Sequence, residues 1–208
     1  MDSSDFSVKL KKYIWPQIHA MLLSDAYFKL IGRAREITGE FNGPIGRLIE
    51  DGYVISQTIA IRRLCDSRKD TISIIRLLVK ARDSNHIMNK EKIEPLSQKL
   101  EAACRPICEL ANNYVAHTAN PLCRQNVGDW NLQVDQITEA QKAICEAAVI
   151  FDRDLLQGMN YVKLVPVPQS NIMQEFKNLM SDEDVAKLWE FWHAHNEKVN
   201  GWIPEFCS

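Results

Sequence analysis

Apolar residues along this chain recur in steps of three and four, and no run alternates convincingly in steps of two. The pattern predicts helices throughout. A helical stretch is expected from about Asp5 to Thr38, ending at Gly39, with Pro16 near a helix start because it would break an interior turn. Asn42-Gly43-Pro44 reads as a turn into a long helix from Pro44 to about Asp66. Ile45, Leu48 and Ile49 mark one face of that helix, continuing through Ile59 and Ala60, and Val54, Thr58, Ile61 and Cys65 mark a second. A helix apolar on two faces is expected at the centre of a bundle.

Asp70 or Thr71 is suited to cap the next helix, which carries Ile72, Ile75, Leu78 and Val79 and fades out in Asp83-Ser84-Asn85. The fourth runs from near Pro95 to Thr118. Its stripe of Leu96, Leu100, Ala103, Ile107, Leu110, Tyr114 and His117 turns His117 inward by phase, and Pro106 predicts a kink or a fresh start. After a loop-like stretch to Val134, a fifth helix carries Ile137, Ala140, Ile144, Ala147, Ala148, Phe151 and Leu155, ending near Gly158. Val165-Pro166-Val167-Pro168 is an extended spacer, followed by a short helical patch from Ile172 to Met180. Ser181 with Asp184 makes a capping-box-like start for a last helix whose face holds Val185, Leu188, Trp189 and Trp192. The fold class expected is all-α, an antiparallel bundle of four main helices with additional helices at both ends. Residues 1–165 form the bundle, its core at about 44–161, and 166–208 a helical extension packing on it or on a partner.

Composition narrows the class without naming a function. The chain has 208 residues, 46% apolar and 25% charged, with eight glycines, eight prolines and a net charge of −2. No general field attracts nucleic acid, so contact with a polyanion would need a local basic face. Asp2 to Lys12 is too polar for a secretory signal, and uncharged runs such as Val54 to Ile61 are too short to span a bilayer. A cytoplasmic protein without a membrane partner is expected, its six cysteines reduced. Cys104 and Cys108, one turn apart in an apolar helix without a CxxC pair, read as core rather than metal ligands; no metal or cofactor is expected.

Three groups carry candidate chemistry. His117 lies one turn from Asn113 with Asn112 adjacent, so a titratable imidazole and two amides sit at a helix end; the alternative is a histidine interacting with the last carbonyls and the helix dipole. The run Arg62, Arg63, Arg68, Lys69, Arg76, Lys80 and Arg82, interrupted by Asp66, Asp70 and Asp83, reads either as a phosphate-contacting face or as a solvated face of ion pairs. Arg62 and Arg63 are spaced to pair with Asp66. Trp189, Trp192, His193 and His195 form a tail cluster that buries against the bundle or a partner, and helical phase points the two histidines apart.

Two of these stretches, Ile59 to Leu78 and Asn112-Asn113-Tyr114-Val115-Ala116-His117-Thr118, together resemble the HEPN superfamily in its abortive-infection branch, over roughly Pro44 to Tyr161. The resemblance implies a helical bundle that commonly dimerises, with motif histidines near a shared cleft. Many such proteins are metal-independent endoribonucleases of toxin–antitoxin or phage-defence systems. On that scheme His117 is the acid–base group while an RNA 2′-hydroxyl attacks the neighbouring phosphate, and an arginine stabilises the developing charge. This chain has Asn112 at the position of that arginine, with Asn113 as its polar neighbour. Losing the charged donor costs on the order of 10²–10³ in rate, unless Arg62, Arg63 or Arg76 substitutes for it. Arg62, Arg63, Arg68 and Arg76 are the expected RNA contacts. The partners implied are a second copy of the chain, RNA and a cognate antitoxin-type protein. Two alternatives stand beside the nuclease: a non-catalytic module binding RNA, a nucleotide or a protein, and a helical protein that oligomerises through Trp189 and Trp192.

Overall fold

A computed structural model describes residues 3–39, 43–112, 134–158, 163–164 and 171–207, and these residues are helical with connecting turns and no strand. The first helical stretch is α1 (Ser3–Lys9), a π-helical turn (Leu10–Ile14) and α2 (Trp15–Thr38). The wider π turn precedes Pro16, which stands in the first turn of α2, where its missing N–H costs little. Gly39 ends α2 in the left-handed region (φ 70°), its N–H donating to the Arg35 carbonyl at 2.8 Å. Then follow α3 (Pro44–Leu64), α4 (Ile74–Arg82), a 3₁₀ turn (Lys90–Lys92) and α5 (Ile93–Leu110). The remainder is α6 (Val134–Ile150) with a π turn (Phe151–Leu155), α7 (Asn171–Lys177), α8 (Asp182–Asn200) and α9 (Trp202–Cys207).

Cross-helix contacts set the directions. Arg35 meets Glu50 at 3.0 Å, Tyr53 meets Asp25 at 2.6 Å and Gln57 donates to the Met21 carbonyl at 3.1 Å, so α2 and α3 run antiparallel. Lys99 pairs with Glu146 at 2.6 Å and Lys92 with Asp154 at 2.7 Å, so α5 and α6 with its π turn do the same. Helix α3 packs on both α5 and α6, through a Cys65–Cys104 sulfur contact of 3.1 Å and a hydrogen bond from Gln141 to Gln57 of 2.9 Å. One core therefore takes Leu22 from α2, Ile61 from α3, Leu78 from α4, Leu100 from α5 and Ile144 from α6. A second, smaller core forms where Leu188 and Trp192 of α8, with Met173 of α7, cover Ala26, Leu30 and Ala34 of α2. Trp192 is fully buried there, stacked on Tyr27, so it seals α8 to its own chain and offers no interface to another. Trp189 packs beside the same core.

Several local expectations change. The cap of α4 is Ser73, whose hydroxyl accepts from the Arg76 N–H at 3.2 Å, rather than Asp70 or Thr71. Helix α5 passes through Pro106 without a fresh start. Pro106 lacks the N–H that would bond the Ala102 carbonyl, and Ala102 is exposed, so that carbonyl stands where solvent can reach it. The buried seam of α5 is Ile93, Leu96, Leu100, Cys104, Ile107 and Ala111, whereas Ala103 and Leu110 of the expected stripe are only half-buried. Its continuation through Tyr114 and His117 lies outside the described residues. Finally, α3 buries one apolar face, not two: Thr58, Ile61 and Cys65 are covered, but Ile45, Leu48 and Ile59 are exposed. Helices α2, α5 and α6 lie on the covered side only. The expected cap of the last helix stands, with Ser181 accepting from the Asp184 N–H at 3.2 Å.

Candidate functional site

The basic run forms around the break between α3 and α4. Helix α3 ends at Cys65, which frees Asp66 from the helix and lets it organise the turn. Its carboxylate accepts from the Arg68 backbone N–H at 2.9 Å and from the Arg68 guanidinium at 2.8–3.2 Å, while its carbonyl accepts from the Ser73 hydroxyl. Burial pushes the Asp66 carboxyl up, but the hydrogen bonds and charge of Arg68, with Arg62 behind it, hold it below its ordinary value. Asp66 is thus claimed by Arg68. The helical spacing that would have paired it with Arg62 or Arg63 ceases to apply once the helix has ended.

That arrangement sorts the cations. Arg68 is tied to Asp66, and Arg82 lies 3.6 Å from Asp83 and 3.8 Å from Glu94. Arg62, Arg63, Lys69, Arg76 and Lys80 make no ion pair among the described residues. Arg63 and Lys69 are exposed; the other three are half-buried, and Arg76 Nε is buried without an acceptor. Arg76 and Lys80, four apart on α4, share a face.

Burial and Cys104 push the Cys108 thiol of α5 up to about 11, and the charge of Arg62 on α3 opposes them. One turn beyond Cys108, Asn112 is exposed just after the end of α5. Asn113 and His117 lie outside the described residues. The Cys104 contact and burial hold the Cys65 thiol well above its ordinary range, which leaves Cys65 inert as a nucleophile. Among the described residues no group of three His, Cys, Asp or Glu side chains is placed to hold a metal, and no helix is long and apolar enough to cross a membrane.

A second polar cluster was not foreseen. Asp25, 1% exposed, accepts from the Tyr53 hydroxyl at 2.6 Å through Oδ1 and from Lys29 Nζ at 2.7 Å through Oδ2. His195 of α8 brings Nε2 to 3.7 Å from the same Oδ2, and Phe28 stacks on the Tyr53 ring at 3.8 Å. Burial, then the charge and hydrogen bond of Asp25, raise the Tyr53 phenol; burial and the Lys29 charge lower His195 against the pull of Asp25. Lys29 and His195 also line a cavity of about 540 Å³ with Arg33, Lys198, Phe191 and Trp202. Cations and carboxylates alternate around this cluster, so it holds α2, α3 and α8 together and presents no field of one sign. Its sequence signals are His195 in the tail cluster and a carboxylate among Met21, Leu22 and Ala26 on the buried stripe of α2.

Comparison with known protein families, with curated proteins and with solved structures finds no match to this chain, so the reading of the site rests on its residues.

Proposed function

We propose that this chain is a HEPN-like helical protein that acts on RNA, contacting phosphates through the basic face that runs from the end of α3 through α4. The observation that carries the reading is the set of unpaired cations. In a chain of net charge −2, Arg62, Arg63, Lys69, Arg76 and Lys80 fall within one short segment and make no ion pair among the described residues. Guanidinium and ammonium groups left without carboxylates are available to phosphate oxygens, and such contacts dominate affinity for RNA. The antiparallel pairs α2/α3 and α5/α6 support the up-and-down helix order implied by the resemblance. Arg62, whose charge acts on Cys108 of α5, is the cation that would serve where Asn112 cannot. His117 is then the acid–base group of a metal-independent endoribonuclease, in a toxin-type or phage-defence role with a cognate antitoxin-type protein. The neutral Asn112 favours a second reading, in which the module binds RNA without cleaving it.

Binding of a single-stranded RNA, followed by fluorescence anisotropy across a salt series, tests the proposal. Arg62→Ala, Arg63→Ala and Arg76→Ala are each expected to weaken binding and to flatten the log–log salt slope by about 0.7 per lost phosphate contact. Arg68→Ala, whose guanidinium is already occupied by Asp66, is expected to do less. Absence of RNA binding, or variants indistinguishable from the parent, refutes the reading. Cleavage in the presence of a chelator that disappears in His117→Ala selects the nuclease; binding without cleavage selects the non-catalytic module.

A further inference from the structure

The cavity beside the Asp25 cluster is larger than a packing gap. Its volume of about 540 Å³ lies within the ~300–1,000 Å³ usual for small-molecule sites. Helix α2 lends it Lys29, Gly32, Arg33 and Glu36, which share one face, and α8 lends Phe191, His195 and Lys198. Asp25 lies against His195 and Tyr27 against Trp192, so α2 and α8 run antiparallel. Lys198, one turn past His195, therefore stands at the end of the cavity away from Arg33 and Glu36. The two ends differ in chemistry. Arg33 and Glu36 pair with each other at 2.7 Å and Lys29 is held by Asp25 at 2.7 Å, whereas Lys198 makes no ion pair among the described residues.

We infer that this cavity binds a small planar aromatic acid, its ring beside Gly32, Phe191 and His195 and its one anionic group at Lys198. Three observations choose that ligand. First, His195 lines the cavity with a side chain only 8% exposed, and its Nε2 is buried without a hydrogen-bond partner, 3.7 Å from Asp25. A buried nitrogen left unpaired costs free energy that a ligand acceptor or donor would recover. Second, the wall suits a flat ring. The Phe191 and His195 ring planes lie within 9° of each other, so a planar ligand can lie parallel to both, and Trp202 adds apolar surface. Gly32 faces them from the interior of α2, where glycine disfavours the helix. A Cβ built on it meets nothing within 4 Å among the described residues, so packing does not explain the glycine, whereas a ring lying close to the backbone does. Third, the charges limit the ligand to one anionic group. Lys198 can donate a charge-assisted hydrogen bond, but Glu36 at the far end and Asp135 in the first turn of α6 oppose further negative charge, which turns away a polyphosphate or an RNA strand.

The site is built on α2, α6, α8 and α9 and stands apart from the RNA reading, whose cations belong to α3, α4 and the turn between them.

Isothermal titration calorimetry of the full chain with 2-naphthoate, and with its uncharged analogue 2-naphthamide, provides the test. The wild type is expected to bind 2-naphthoate saturably and at least roughly tenfold more tightly than 2-naphthamide, the difference made by one charge-assisted hydrogen bond. Gly32→Leu puts a good helix former into open space, so it is expected to keep its helix content by circular dichroism and to lose the binding. Lys198→Gln, at an exposed position, is expected to bind the two probes alike. Absence of saturable 2-naphthoate binding overturns the inference, as does equal affinity of the wild type for both probes. Binding that a folded Gly32→Leu leaves unchanged overturns it too, since the probe then sits elsewhere.

Discussion

Replacing Asp25 is expected to destabilise the fold more than replacing any surface carboxylate, and its surroundings set the size of the effect. The carboxylate is 1% exposed and accepts two short hydrogen bonds, from Tyr53 at 2.6 Å and Lys29 at 2.7 Å. In Asp25→Ala the Tyr53 hydroxyl is left buried without an acceptor, which costs about 1–3 kcal/mol. Lys29 retains some exposure and can turn its ammonium toward water, so its stranding is the smaller part. Adding the lost charge-assisted bond brings the expected loss to about 3–5 kcal/mol, the range for breaking a buried pair from one side. Tyr53→Phe keeps the Asp25–Lys29 pair and should cost about 1–2 kcal/mol, and the double variant should show a coupling of about 1 kcal/mol or more. Urea unfolding followed by circular dichroism measures these values, provided the denaturant slope is unchanged. A loss under about 0.5 kcal/mol in Asp25→Ala, or additive effects at the two positions, would refute the view that this cluster fastens α2 to α3.

Two further outcomes follow from the same packing. Burial lowers both His19 and His195 below the ordinary histidine value, so the unfolded chain takes up protons that the folded chain resists. Stability should therefore fall as pH drops through about 6.5, and a double His19→Gln and His195→Gln variant should show a flatter slope between roughly pH 7.5 and 5.5; an unchanged slope would show that other groups dominate. Ser73→Ala removes the cap of α4 and the hydroxyl bonded to the Asp66 carbonyl, at a fully buried position. It should cost about 1–2 kcal/mol and loosen the turn that presents the unpaired cations, which amide exchange at Lys69 to Thr71 would report.

The helices and their ends are written locally in the chain, because helix formation is mostly local. Three- and four-residue apolar steps, Gly39 after Thr38, Pro44 at the head of α3 and the Ser181–Asp184 cap each act within one or two turns, and each stands in the structure. Part of the candidate site was legible for the same reason: a basic run is visible in composition. Which of its members are paired was not, since that depended on α3 ending at Cys65 and releasing Asp66 to Arg68 rather than to Arg62 or Arg63. Tertiary structure alone decided what lies far apart in sequence and close in space. It brought Asp25, Tyr53 and His195 together from three helices. It also decided that, among the described residues, one of the two apolar faces of α3 is covered and Ile45, Leu48 and Ile59 of the other are exposed. Periodicity reports that a face is apolar; whether that face meets its own chain, a second chain or water depends on which helices the rest of the chain can place against it.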